Sequence, residues 1–185
     1  FVGYLNMESQ IFPLATFDST TSMAFVSLLL GIALVIVLIK VKPMPQGAKF
    51  AASGMVIAVL GLLSWVFLKA HNANVRLTPT AMMVDIPLYG VELPLESLLP
   101  SQASIISLDD EDAPQISYRS NGVGLPGYQL GWFKLAKMTN NTDKALLSVT
   151  NSQQVLVLPT TEGYLLLLSV ERPEALLSSL LTPTL

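Results

Sequence analysis

The chain has 185 residues, of which 12% are charged and 51% hydrophobic, with a mean hydropathy of +0.56 and a net charge of −3. That is too apolar for an ordinary soluble domain of this length, and the acidic balance argues against nucleic acid as a partner. Cysteine is absent, which excludes disulfides, thiolate zinc sites and cysteine nucleophiles.

The apolar excess is concentrated near the N-terminus. Residues 1–21 read as an N-terminal segment without a basic residue, carrying Glu8 and Asp18; the first residue is Phe1, and Met7 is a candidate start. Residues 22–69 then hold two uncharged runs, about 23–39 (MAFVSLLLGIALVIVLI) and 50–68 (FAASGMVIAVLGLLSWVFL). A bilayer core of about 30 Å needs ~20 helical residues, so both are expected to span a membrane. The first does not resemble a cleaved signal peptide, because no Lys or Arg precedes it and no small-x-small site closes it before Lys40. Pro43, Pro45 and Gly47 break the connection, so the two spans should form an antiparallel hairpin.

Small residues recur at helical spacing on each span: Ser27 and Gly31 on the first, Ala51, Gly54, Ala58 and Gly61 on the second. They are candidate helix-packing faces, closing the hairpin on itself or also binding another subunit. Lys40, Lys42 and Lys49 in the connection outnumber Lys69 and Arg76 beyond the second span. The excess of positive charge puts the connection in the cytoplasm and the rest of the chain outside a bacterial inner membrane. Trp65 and His71, near the end of the second span, read as interfacial residues rather than as a site.

From Val75 the pattern changes to short strand-like runs separated by turns. Val75–Ile86 should supply one or two strands, and Val91–Glu96 alternates like a half-buried strand with Pro94 at an edge or bulge. Further strands are expected at 103–108, 130–137, 145–150, 154–158 and 164–169, the last three at hairpin distances. Pro173 and Glu174 then open an amphipathic helix with Leu176, Leu177, Leu180 and Leu181 on one stripe.

Gly122, Gly124 and Gly127 spell G-x-G-x-x-G, the pattern of a dinucleotide-binding loop. That loop needs a helix opening directly after it to hold the pyrophosphate. Tyr128-Gln-Leu-Gly-Trp-Phe133 follows instead and reads as strand, so the glycines are expected to serve a tight β-turn region. The acidic run Asp109–Asp112 lacks the spacing of a calcium loop and reads as a solvated loop. Asn140-Asn141-Thr142, though a formal sequon, reads as a turn. No nucleophile–base–orienter set, cofactor site or metal site can be assembled, so no enzyme is expected.

The order Tyr89-Gly-Val-Glu-Leu-Pro-Leu95, Ser120-Asn-Gly-Val-Gly-Leu-Pro-Gly-Tyr128, Gly131-Trp-Phe133, Lys144-Ala-Leu-Leu147, Val155–Thr160, Gly163–Ser169 and Arg172–Leu176 resembles the bacterial PH-like (pleckstrin-homology-like) domain family. Arg119–Phe133 is the most specific part. The resemblance implies a mainly-β domain over 75–182, a barrel or bent sheet of about seven antiparallel strands with a C-terminal capping helix, often following membrane spans. It carries no enzymatic activity. From Val75 onward, Arg76, Arg119, Lys134, Lys137, Lys144 and Arg172 face eleven acids, which disfavours phosphoinositides.

The expected object is a membrane-anchored module that joins protein partners or copies of itself. The alternatives are a lipid- or small-molecule-binding module, with Tyr128, Trp132 and Phe133 as the candidate ligand or partner surface, and an accessory subunit of a larger membrane complex.

Overall fold

The computed structural model describes residues 9–182; the candidate start at Met7 lies outside the described residues. Helix α1 (Ser19–Val41) begins at Asp18, whose carboxylate accepts the Thr21 backbone N–H at 2.7 Å, and stops before Pro43. Helix α2 (Gln46–Ala70) opens after Pro45 and ends at His71. Both are long and apolar enough to cross a membrane, with mean hydropathies of 2.9 and 2.2 in their most apolar windows. Only 6% of each window is buried, whereas a core helix of a water-soluble protein would be mostly covered.

The seam between the helices is built from large side chains. Half-buried positions recur at Leu29, Ile32, Ile36 and Ile39 on α1 and at Val56, Leu60, Leu63 and Phe67 on α2. At about 100° per residue, the stripes Ser27/Gly31 and Ala51/Gly54/Ala58/Gly61 fall on the opposite faces, and all six residues are exposed. A Cβ added at Gly31, Gly54 or Gly61 would meet nothing within 4 Å. The expectation that these residues close the hairpin is therefore corrected: leucine, isoleucine, valine and phenylalanine side chains line the seam, and the small faces look outward.

The remainder is mainly β, in two sheets. Four strands, β1 (Gln10–Pro13), β2 (Asn74–Leu77), β3 (Ala81–Asp85) and β4 (Val91–Pro94), form an antiparallel meander. The two helices are inserted between β1 and β2, which pair directly, Pro13 beside Asn74. Gln10–Pro13, within the 1–21 segment, is thus not separate from the domain at 75–182; it is the edge of the first sheet.

The second sheet holds β5 (Ser104–Ile106), β6 (Ile116–Leu125), β7 (Tyr128–Thr139), β8 (Thr142–Val149), β9 (Val155–Pro159) and β10 (Leu165–Ser169), in the order β5-β9-β10-β8-β7-β6. The turn at Asn140–Asn141 joins β7 to β8, with both asparagines at positive φ, as a two-residue hairpin requires. No β8–β9 hairpin forms. Instead β10 inserts between them, antiparallel to β9 and parallel to β8. All five residues of β9 and of β10 are buried, so their unbroken apolar runs suit central strands covered on both faces. The ten strands among the described residues, with one parallel pair, differ from the about seven antiparallel strands that the resemblance implies.

Backbone bridges at Leu14–Val170 and Leu98–Thr160 join the sheets. Between them lies a core that includes Phe12, Val75, Met82, Leu130, Leu146 and Leu168. Helix α3 (Pro173–Leu181) covers one side of it with Leu176 and Leu180. A second cluster around Phe133, Leu147, Val157 and Leu167 fills the other face of the six-stranded sheet.

Candidate functional site

The residues with the most unusual surroundings gather where the helix pair enters the β-domain. Phe17, just before α1, stacks on Phe67 at 5.6 Å and meets Tyr128 edge-on at 4.6 Å; Phe25 lies 4.8 Å from Phe67. His71 caps α2 and sits edge-on to Phe17, its Nδ1 2.8 Å from the Phe67 carbonyl. The ring thus packs at the helix root, against Phe17 and Phe67. Phe25 and Val66 are each only 1% exposed, while Met23 and Leu68 on the same turns are 70% and 65% exposed, so one face of each helix is covered at the root and the other is open. On the far side Lys69 Nζ reaches Asp85 Oδ2 at 2.8 Å, tying α2 to the end of β3.

The glycine-rich stretch supplies the wall of this junction. Leu125 pairs with Tyr128 across Pro126-Gly127, where proline followed by a glycine at φ +74° gives a type II turn. A Cβ on Gly127 would strike the Thr21 hydroxyl, so the turn tip lies against the first turn of α1. Further along, Gly122 faces Gly131 across β6 and β7. Gly131 has φ +108°, and a Cβ there would meet Asn121 O at 2.5 Å and the Tyr89 ring at 3.0 Å. Tyr89 also donates its hydroxyl to Asn121 Oδ1 at 3.1 Å. A strand follows Gly127, so the segment has no helix N-terminus to offer a pyrophosphate. Gly122 and Gly124 lie within β6 rather than in a turn, which sequence patterning did not foresee.

The proposed aromatic surface divides. Tyr128 and Trp132 belong to the core between the sheets, where Trp132 meets Tyr164 edge-on at 4.9 Å, while Phe133 points into the second cluster. Alternation along β7 separates them, so the three cannot line one pocket. Tyr128 is 1% exposed and its hydroxyl has no hydrogen-bond partner. Burial pushes its phenol pKa well above the ordinary value.

A cleft of about 540 Å³ opens beside the Gly127 turn, lined by Leu108, Ile116, Gln129, Val149 and Asn151 among others. The Gln129 Oε1 atom on its wall is buried without a partner. Asp109, also on the wall, accepts from Ser152 Oγ at 2.8 Å and Gln153 Nε2 at 2.9 Å, so the acidic run starts as a loop anchor. Lys134, one of the few basic residues of the β-domain, is paired with Asp143 at 2.9 Å, which raises its pKa. Among the described residues no group of three His, Asp or Glu side chains could hold a metal ion.

Comparison with protein-family models, curated proteins and solved structures gave no match.

Proposed function

We propose that this chain is a non-enzymatic bacterial membrane protein in which α1 and α2 span the bilayer and a β-domain of the PH-like family binds protein partners, or further copies of itself, at the membrane surface. One observation carries the membrane part: two helices of 23 and 25 residues with almost nothing covering their apolar surface, both rooted in one domain. Exposed leucine, valine and isoleucine side chains along α1 and α2 would each cost roughly 1.5–3 kcal/mol in water relative to burial. A bilayer removes that cost. Self-association is favoured by the outward small-residue faces, which permit close helix approach. Kinship with the PH-like family rests on the Arg119–Phe133 motif.

The lysine balance puts the Lys40–Lys49 connection in the cytoplasm and the β-domain outside it. Single cysteines at Gln46 and Ser101 test this directly in a chain with none of its own. Ser101→Cys should react with an impermeant maleimide in intact cells and Gln46→Cys only after permeabilisation; the reverse pattern inverts the topology. Native mass spectrometry in mild detergent should show dimers or larger species at micromolar concentration, and monomer throughout would remove the assembly role.

A second reading, a binding module for a small molecule or lipid, is favoured by the unpartnered Gln129 amide oxygen in the cleft beside the helix root. Lipid retained on the purified protein and lost in Gln129→Leu would select it.

A further inference from the structure

Covered and open faces of the two helices overlap at the domain end. Phe25 and Val66 are 1% exposed, yet Met23 and Leu68, on the same turns, are 70% and 65% exposed. The open apolar faces therefore run from Met23 to Val41 and from Phe50 to Leu68, each ~19 residues or ~28 Å at ~1.5 Å per residue, against a hydrocarbon core of about 30 Å. The α1 count includes Lys40, whose stem can snorkel from within the apolar layer. If the helices span, the last turn of that thickness is level with the root of the domain.

That end has the surface needed. Asn74 pairs with Asp85, so the end of β3 is level with the strand that leaves α2, and the following turn projects past it toward the helix root. Its residues Pro87, Leu88, Tyr89 and Gly90 are uncharged. Leu88 at its tip is 51% exposed and held at φ +65°. A leucine rarely adopts the left-handed region, and such strain persists where surrounding structure imposes it. The strain turns a large apolar side chain outward. The uncharged Leu125–Gly127 turn lies against Thr21 on the α1 side, and Trp65, 48% exposed, marks the same region of α2.

Resting on the membrane-spanning reading, we propose that the Pro87–Gly90 and Leu125–Gly127 turns form a lipid-contacting collar, immersed at the headgroup–acyl boundary with Leu88 inserted toward the chains. The partner is the apolar boundary of the bilayer rather than an anionic headgroup, because neither turn carries a charge and Lys69 is paired with Asp85.

Nitroxide labels on single cysteines of the full chain in phosphatidylcholine vesicles test it. Leu88→Cys and Pro126→Cys report the two turns, Leu34→Cys the middle of α1, and Thr80→Cys the β2–β3 turn at the opposite end of the meander. The ratio of collisions with oxygen to collisions with a nickel chelate should be highest at Leu34, intermediate at Leu88 and Pro126, and lowest at Thr80. Equal ratios at Leu88, Pro126 and Thr80 overturn the collar while leaving the spans intact. A water-like ratio at Leu34 overturns the spanning reading itself, and the collar with it. Adding phosphatidylglycerol should leave the Leu88 ratio unchanged; immersion only with that lipid would assign the contact to headgroup charge and overturn the apolar assignment.

Discussion

Tyr128 holds a hydroxyl with no partner inside a wall of aromatic rings, a costly position for a single polar atom. An unsatisfied buried group costs about 1–3 kcal/mol. Tyr128→Phe is therefore expected to leave stability unchanged or raise it by about 1 kcal/mol, read as the detergent-solubilised melting temperature. A clear loss would mean that the hydroxyl bonds something in the purified protein. Asp18 offers a pH test at the same root. Hydrogen bonds from Thr21 hold its carboxyl below the ordinary range, so its contribution is complete above that range and disappears as pH falls through the lowered value. Between about pH 5 and about pH 3, wild type should lose more melting temperature than Asp18→Asn, which caps without titrating. Equal losses would show that the cap does not couple to stability.

The contact between the β6–β7 turn and α1 belongs to the scale of elements. Gly127→Ala drives a methyl into Thr21 and also strains a positive φ, so a loss of about 2 kcal/mol or more is expected. Adding Thr21→Ala should recover the steric part and leave the backbone part of about 1 kcal/mol. Urea unfolding of the two variants in detergent separates these terms; an absence of rescue would place the cost in the turn alone. This contact also explains what patterning could and could not reveal. The helices, most strands and α3 follow from runs and periods that lie within the sequence of each element. The Gly127 turn is recognisable from Pro126-Gly127, yet its neighbour Thr21 is more than a hundred residues away. Two strands escaped for related reasons: β1 is four residues long and ends in proline, and the glycines and polar residues of β6 resemble a loop. The order of β8, β9 and β10 escaped because short loops favour sequential hairpins, while the fully apolar β10 gains more from a central position. The aromatic trio failed by a parity argument available in advance, since Trp132 and Phe133 are adjacent on a strand.

At the scale of the molecule, the domain is closed by a strand that precedes the helices. Phe12 and Leu14 are buried in the core, Ala15 donates to Ser169 at 2.8 Å, and Thr150 Oγ1 donates to Ala15 O at 2.7 Å. A soluble chain beginning at Val75 would lack all of this and leave the β2 edge unpaired. Joining Thr16 to Asn72 through a short glycine-serine loop keeps β1 beside β2 and removes the helices. The joined chain should be monodisperse by gel filtration and melt cooperatively, and the 75–182 fragment should aggregate. A well-behaved 75–182 fragment would show that β1 is dispensable.

The position of β1 also dictates an order of events during synthesis. Gln10–Pro13 leaves the ribosome some sixty residues before Asn74–Leu77, and most of what lies between them is the apolar helix pair. The first sheet therefore cannot close until both helices are made, and the strand waits as an unpaired edge through that interval. If the helices span a bilayer as proposed, completion of the domain requires the hairpin to be threaded with both its feet on one side. A chain with one helix left behind would then hold β1 and β2 on opposite faces, and its sheet would have no route to closure.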